Sequence, residues 1–600
     1  MKTRLLGVFF LSFLLGAPAF AGGAADQLNR VIQDYTERAK RVDPYSAPYF
    51  NVEEDLGKFG DYPSAAYLAR SKKLYADALE ALKQVKPEAL EPKDLRTYRL
   101  FKGDMEISLK RYQFPQELLE FNQMDNRLRE YIDDSNQDLS YFPFDTVKHY
   151  DAFLERSRGF PAYIDRQIGT LKRGVKEGVV LSCVVAKKAV NTYQEALEPK
   201  VEKNPFFRPV GFMPKTFSAA DHDRLEKGFR SMVSERILPS VRKFDHYFQK
   251  EYLPHCRQGY GLAGLPHGKE WYAYAVESGT NLALDPAEIH RTGLKEVDRI
   301  QGQIDAIQKE VGFKGTRAKF LESLSNDEGH FFKSSKEMFQ AFLEIKKRVA
   351  PLLPRYFSLM PKGDYTIVDS GNPEDAAGSY HQPTESQPVG RFVVNTHNLK
   401  AVADYDVASL SLHEAVPGHH FQLALQFEMK DQLSEYQRKI YGSNSFVEGW
   451  ALYSEKLGRE MGAYHTPMER LGNLNSEMLR AVRLVVDTGI HAMGWSRGKA
   501  LKYMQEHLAG DTKDRETEAD RYSVWPGQAL GYKVGELKIL ELRKRAEEAL
   551  GPAFDIRDFH RVVIGNGTVS LGVLESQVDE WIASKTGGHA RGPSSSPDRG

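Results

Sequence analysis

The sequence predicts a large, mainly α-helical protein that carries a small β-sheet. Amphipathic helical patterns recur near 100–135, 148–180, 220–253, 286–312 and 335–350. A clear example is 63–90, where Leu68, Tyr75, Leu79 and Leu82 fall on one face and charged residues lie opposite. The runs GDYTIVDSG (363–371) and GRFVVNTHN (390–398) are short, rich in β-branched or aromatic residues, and typical of strands. With 600 residues, 41% of them hydrophobic, the chain has ample material for a core.

The chain divides into four parts along its length. Residues 1–21 form a predicted secretory signal peptide, with Lys2 and Arg4 before an apolar run and Ala19-Phe20-Ala21 as the cleavage site. Residues 22–361 form a helical N-terminal half, and 362–585 hold the sheet and the helices that carry the chemistry. Residues 586–600, rich in Gly, Ser and Pro, predict a disordered tail. The mature protein is therefore expected in the periplasm or outside the cell.

Charge and cysteine content narrow the class of protein. The 82 basic and 82 acidic residues balance, and no basic tract indicates a nucleic-acid partner. After signal cleavage no stretch is apolar enough to span a membrane, and no cysteine follows the cleavage site to carry a lipid. Cys183 and Cys256 could pair in an oxidising compartment or remain as free thiols. Oligomeric state is left open.

The stretch HEAVPGHH (413–420) resembles the helical zinc motif H-E-x-x-H but has Pro417 in place of the second histidine. In that motif two histidines one turn apart bind zinc, and the glutamate is the general base. Proline interrupts a regular helix, so spacing alone leaves two alternatives for the second ligand. His419 takes that place if Pro417-Gly418 act as two extra residues, whereas His420 shares the face of His413 in an unbroken helix.

A glutamate that could complete the site lies downstream, in SNSFVEGWALYSE (443–455). Ser443 or Asn444 can begin a helix there. Glu448 lies inside an apolar, aromatic run, where a buried carboxylate needs a partner. Glu455, two turns later on the same face, could hold a ligand in position through a hydrogen bond.

These two stretches closely resemble the DUF885 family, which is similar to gluzincin metallopeptidases with a neurolysin-like helical fold. The resemblance implies a metallopeptidase-like fold with the sheet beside an active-site cleft. It also implies zinc held by His413, His419 and Glu448, with His420 as the alternative to His419. Glu414 would be the general base and a peptide the substrate. Because the Pro-Gly-His element recurs in the family, His419 is favoured.

Further stretches supply candidates for the remaining roles. RLVVDTGIHAMGWS (483–496) places Asp487 and His491 one helical turn apart. Tyr532 or His491 could stabilise an oxyanion, with Asp487 supporting the histidine. Arg521 and Gln528 are expected to contact substrate. GRFVVNTHN is expected to be an edge strand that pairs with an extended peptide, with Asn395 adding a side-chain contact.

Three functions fit these features. The favoured one is an exported zinc peptidase that hydrolyses peptide bonds, with zinc-activated water and Glu414 as base. A zinc amidase acting on a non-peptide or cell-wall amide needs the same residues. A non-catalytic helical binding protein with a residual metal site is disfavoured because all four ligand and base positions carry suitable residues.

Overall fold

Helices form most of the protein, which this computed structural model describes for residues 23–137, 140–370, 377–384, 387–400, 402–510 and 512–587. The signal peptide and all but the first two residues of the predicted tail lie outside these ranges. The first half contains α1 Ala24–Val42, α2 Ala47–Phe50, α3 Ala65–Leu82, α4 Pro92–Lys110, α5 Arg127–Asp133, α6 Val147–Arg156, α7 Phe160–Glu177, α8 Cys183–Asn191, α9 Arg208–Gly211, α10 Ala219–Ser231, α11 Leu238–Tyr247, α12 Gly268–Thr280, α13 Pro286–Glu310, α14 Arg317–Asn326 and α15 Ser335–Val349. The second half contains α16 Val407–Glu414, α17 His419–Glu428, α18 Asn444–Met461, α19 Pro467–His491, α20 Arg497–His507, α21 Thr512–Val524, α22 Leu530–Leu550, α23 Ile556–Ile564 and α24 Leu571–Thr586. The prediction of a mainly α fold is confirmed.

The sheet has three strands, β1 Tyr365–Asp369, β2 Gly378–His381 and β3 Gly390–Val394, in the order β1-β3-β2. β3 pairs parallel with β1 and antiparallel with β2. The structure adds a strand that the sequence did not predict, β2, and the prediction of an edge strand at GRFVV is wrong because GRFVV is the central strand. Because both of its edges are already paired, β3 cannot add a peptide strand.

The main hydrophobic core joins the two halves of the chain. Leu28 of α1 and Phe101 of α4 belong to the same buried cluster as Phe392 of β3, Trp450 of α18 and Val578 of α24. A second core, rich in aromatic rings, is built from residues between Tyr45 and Tyr252. The N-terminal helices thus support the helices of the second half directly.

Cys183, at the start of α8, forms a disulfide with Cys256, with a Cα–Cα distance of 4.9 Å. This decides between the two states that the sequence left open. Among the described residues, no helix is both long enough and apolar enough to cross a bilayer.

Candidate metal centre

The chain breaks between two helices at HEAVPGHH. α16 ends at Glu414 and α17 begins at His419, so the Pro417-Gly418 pair lies between two helices. Gly418 is required at the break, because a Cβ there would lie 1.9 Å from the carbonyl oxygen of His413. Trp450 Nε1 donates to the carbonyl of Pro417 at 2.8 Å, which ties the break to α18.

Helix α18 carries Glu448 and is fixed at both ends. Ser443 Oγ accepts from the Phe446 amide at 3.3 Å as the N-cap, and Gly462 ends the helix with φ +72°. Gly449 lets α18 approach α22 closely, since a Cβ there would lie 2.5 Å from the Cα of Gly535. Gly449 therefore allows α22, which carries Tyr532, to lie next to α18, which carries Glu448.

His413, His419 and Glu448 converge on one point. Glu448 Oε2 lies 3.4 Å from Nε2 of His413 and 3.4 Å from Nε2 of His419. The three possible ligand atoms all lie within 4.8 Å of one another. The Pro-Gly break therefore delivers His419, and not its neighbour, to the two other residues.

The donor set fits zinc. Tetrahedral ligands at about 2.0–2.1 Å from zinc stand about 3.4 Å apart, which matches both Glu448–histidine distances. A direct N–H···O bond would be shorter, about 2.9 Å. Glu448 Oε2 is buried and makes no hydrogen bond in the described part of the protein. A buried carboxylate oxygen of this kind needs a cation.

Glu455 holds His413 in position. The Nδ1–H of His413 donates to Glu455 Oε1 at 2.7 Å, so Nε2 is the ring nitrogen that faces Glu448 and can bind a metal. The other oxygen of Glu455 accepts from Ser409 Oγ at 2.5 Å and faces Asn473 Nδ2 at 3.5 Å. Arg480 adds a charge 3.9 Å from Oε1.

In this cluster, neighbouring charges shift the pKa values of His413 and Glu448 in the direction opposite to the effect of burial. Burial lowers the pKa of His413, but the neighbouring carboxylates of Glu448 and Glu455 outweigh it and raise that pKa to about 9. Burial raises the pKa of Glu448, yet both histidines hold it well below its usual range. The carboxylates of this pocket therefore favour positive charge beside them.

Glu414 follows His413 directly and is 8% exposed. Burial raises its pKa, and the nearby His413 and His419 only partly oppose this. A carboxylate with a raised pKa is suited to accept and return a proton near neutral pH.

His420 points away from the cluster, into the sheet. Its Nδ1 hydrogen-bonds with the hydroxyl of Tyr380 on β2 at 2.9 Å, and its ring lies 4.8 Å from that of Tyr365 on β1. Burial lowers its pKa to about 4. The structure therefore assigns His420 to packing between α17 and the sheet.

Tyr532, Arg521 and Gln528 form one connected group. Arg521 Nη2 donates to the Tyr532 hydroxyl at 3.2 Å and to Gln528 Oε1 at 2.9 Å. Gln528 Nε2 donates to Asn444 Oδ1 at 2.9 Å, one turn before Glu448 on α18. The guanidinium of Arg480, which faces Glu455, also lies 5.9 Å from the centre of the Tyr532 ring. The group is thus linked to the cluster of His413, His419 and Glu448 through both α18 and α19.

His491 and Asp487 do not join this group. His491 is fully buried; its Nδ1 accepts from the Leu262 amide at 3.1 Å and its Nε2–H donates to the Tyr522 carbonyl at 2.9 Å. With both nitrogens engaged by backbone, it has no donor for an oxyanion. Asp487 accepts from the Tyr272 hydroxyl at 2.6 Å and from the Gly527 amide at 3.2 Å, so it supports the turn before α22 and not a metal ligand.

Asn395 also differs from its expected role. It follows the last residue of β3, is 1% exposed, and its side-chain oxygen accepts from the His397 amide at 3.0 Å. Its side chain therefore stabilises the turn after the strand.

Sequence reasoning missed Arg480 and Arg483, which lie beside the Tyr532 ring, and Glu518, which pairs with Arg483. Arg483 lies 4.3 Å from the centre of the Tyr532 ring and its Nη2 donates to Glu518 at 2.9 Å. A signal was present: both arginines interrupt the apolar run of α19, as Glu448 interrupts that of α18. A charged residue in such a run indicates a buried partner.

Two cavities adjoin the site. One, of about 350 Å³, is lined by His413, Glu455, Arg480 and Glu518, among others. The second, of about 560 Å³, lies between segments of both halves, including Trp271 and Gln528. Arg521 hydrogen-bonds with Glu518, which lines the first cavity, and with Gln528, which lines the second.

The fold and the site define a mainly helical protein with a buried two-histidine, one-glutamate cluster on three consecutive helices. The chain belongs to the family described as "Bacterial protein of unknown function (DUF885)", whose match covers residues 44–578. No functionally curated protein matches it.

Two solved structures share the fold. A "putative lipoprotein" from Colwellia psychrerythraea is 26% identical with a TM-score of 0.85, and the match covers 94% of this chain and 100% of that one. A "putative lipoprotein of unknown function" from Shewanella oneidensis is 17% identical with a TM-score of 0.68, covering 92% of this chain and 99% of that one.

Proposed function

We propose that this protein is an exported zinc-dependent peptidase. The observation that carries the proposal is the convergence of His413 and His419 on Glu448, each at 3.4 Å, beside the buried carboxylate of Glu414. A zinc ion held by these three residues would supply a Lewis acid and lower the pKa of bound water towards about 7.

The chain's own residues supply the remaining steps. Glu414 accepts the proton of the attacking water and returns it to the leaving amine. Tyr532, whose hydroxyl accepts from Arg521, is the candidate donor to the oxyanion. Glu455 keeps His413 in the tautomer that presents Nε2.

Two observations support export. The Cys183–Cys256 disulfide is the form expected in an oxidising compartment. The two structural neighbours are described as lipoproteins, which are exported proteins.

Metal analysis of the full-length mature chain, purified without chelator, tests the site. We expect one equivalent of zinc, lost in His419→Ala and retained in the neighbouring control His420→Ala. Absence of stoichiometric zinc from the unmodified protein would favour a non-catalytic binding role.

Digestion of a peptide library tests the reaction. Glu414→Gln should keep its zinc but lose at least about a hundredfold in turnover, because the proton acceptor is gone. Full turnover by this variant would overturn the mechanism. Cleavage of cell-wall fragments without cleavage of any peptide would identify an amidase instead.

A further inference from the structure

The arginines around Tyr532 carry more positive charge than their neighbours neutralise. Arg483 places Nε and Nη2 on Glu518, at 3.2 and 2.9 Å. Arg521 reaches the same carboxylate through Nη1 at 3.4 Å. In the described part of the chain, Glu518 is the carboxylate that contacts these two guanidinium groups, so one positive charge is in surplus.

The surplus is held away from bulk water. The side chains of Arg483 and Arg521 are 5% and 18% exposed. Burial alone would raise the pKa of Glu518, but the two arginines lower it to about 2, so it stays ionised. An unneutralised cation that is mostly desolvated is costly unless an anion joins it.

Hydrogen-bonding capacity is also left over. Arg483 Nη1 and Arg521 Nε are buried and have no hydrogen-bond partner among the described residues. Guanidinium groups with spare N–H donors are well suited to bind carboxylates through paired hydrogen bonds. Arg480 is less available, because it already faces Glu455 at 3.9 Å and donates to Ser476.

Arg521 is bonded to residues that line both cavities near the site. Glu518 lines the cavity that also exposes His413, and Gln528 lines the larger cavity between the two halves. Arg521 is bonded to both of these residues and to the hydroxyl of Tyr532. A ligand in either cavity would therefore contact a residue that is bonded to Arg521.

We propose that Arg483 and Arg521 form a carboxylate-binding subsite, which makes this protein selective for substrates with a carboxylate close to the cleaved bond. The proposal rests on the peptidase function proposed above. The carboxylate comes from the C-terminus of a short peptide or from an aspartate or glutamate side chain, since both present the same group to the arginines.

Peptide binding to the full chain with Glu414→Gln, which prevents turnover, tests the subsite by calorimetry. The probes are four acetylated pentapeptides of alanine and phenylalanine. One has a free C-terminal acid and the second is its C-terminal amide. The other two are amides that carry Glu or Gln at an internal position. We expect the acid, or the internal Glu, to bind at least about tenfold more tightly than its neutral counterpart. The pair that shows the preference identifies the source of the carboxylate.

Arginine variants and removal of the metal show which of the two, arginine or metal, binds the carboxylate. Arg521→Met should abolish the preference, and Arg543→Met should keep it. Arg543 is a matched control because it lies on α22 and contacts Tyr453 and Glu460 in the same manner, away from the site. The preference should persist after the metal is removed by chelator, since a metal ion could itself attract a carboxylate.

Equal binding of acidic and neutral probes to the unmodified site overturns the subsite, whatever the enzyme cleaves. A preference that survives Arg521→Met also overturns it. If Arg521→Met fails to fold, Arg521→Lys replaces it and should weaken the preference, because lysine keeps the charge but not the paired donors. Failure of the peptidase proposal would be seen separately, as absent zinc or absent turnover with intact carboxylate binding.

Discussion

Glu455 shows how one residue outside the ligand set controls a ligand. One of its carboxylate oxygens accepts a hydrogen bond from His413 Nδ1, and the other accepts one from Ser409 Oγ. Its negative charge makes the imidazole a better electron donor towards a metal, and its position fixes the ring.

The first prediction concerns this contact. Glu455→Gln keeps an oxygen acceptor but removes the charge, so zinc affinity should fall about 10- to 100-fold. Glu460→Gln, on the same helix and paired with Arg543 at the surface, is the control and should bind zinc normally. Competition with a chelator of known affinity measures both. Equal affinities in the two variants would remove Glu455 from the site.

His491 gives a second prediction, about stability and pH. In the folded protein burial lowers its pKa to about 4, whereas in the unfolded chain it is near ~6.5. Between these values the unfolded state binds a proton that the folded state does not. The contribution of His491 to the free energy of unfolding is therefore present above pH ~6.5 and falls by up to about 3 kcal/mol on acidification to pH ~4.

His491→Gln removes the titrating group. At pH 7 the variant should be less stable by about 1–3 kcal/mol, because hydrogen bonds to Leu262 and Tyr522 are disturbed. The gap between the two proteins should narrow towards pH 4.5, as followed by urea unfolding. A gap that does not change with pH would show that His491 titrates as in the unfolded chain.

At the scale of elements, the break between α16 and α17 depends on Gly418. Gly418→Ala would force a Cβ to 1.9 Å from the His413 carbonyl and 2.4 Å from that of Leu412, so the backbone must shift. We expect a loss of at least about 2 kcal/mol in stability together with weaker zinc binding, because the shift moves His413 or His419. Gly442→Ala, where a Cβ meets nothing within 4 Å, should leave the thermal midpoint and the zinc content unchanged.

The same elements show what the sequence can and cannot predict. The 3.6-residue period of the hydrophobic residues predicted the helices. The apolar surroundings of Glu448 indicated that it is a site residue. β2 was missed because Gly378–His381 has no hydrophobic alternation and owes its pairing to β3. The choice between His419 and His420 depended on backbone angles at a Pro-Gly pair, which spacing does not encode.

Tertiary contacts explain the remaining differences. The bonds of His491 come from Leu262 and Tyr522, at sequence separations of 229 and 31 residues. No local pattern reveals such partners. A buried histidine that hydrogen-bonds with the backbone cannot be distinguished in sequence from a catalytic histidine. Arg483 differs from His491, since its position inside the apolar run of α19 was a local signal of a buried partner.

At the scale of the whole molecule, the disulfide connects the fold to the larger cavity. Cys183 and Cys256 adjoin Ser182 and Arg257, which line that cavity on the side of the N-terminal half. The Cys183 amide also donates to the Arg257 carbonyl at 3.0 Å, and the Arg257 amide donates to the Leu181 carbonyl at 3.0 Å. The bridge thus fastens two segments that form one wall.

The last prediction follows from the loop that this bridge closes. The cysteines are 73 residues apart, and a cross-link over such a distance restricts the unfolded chain enough to stabilise the protein by about 2–4 kcal/mol. The double variant Cys183→Ser, Cys256→Ser should therefore unfold at lower urea concentration than the parent. Reductant should lower the parent's midpoint to that of the variant and leave the variant unchanged, which separates the bridge from the effect of serine. Two titratable thiols in the denatured, unreduced parent, or a midpoint insensitive to reductant, would show that the bridge does not stabilise the folded protein.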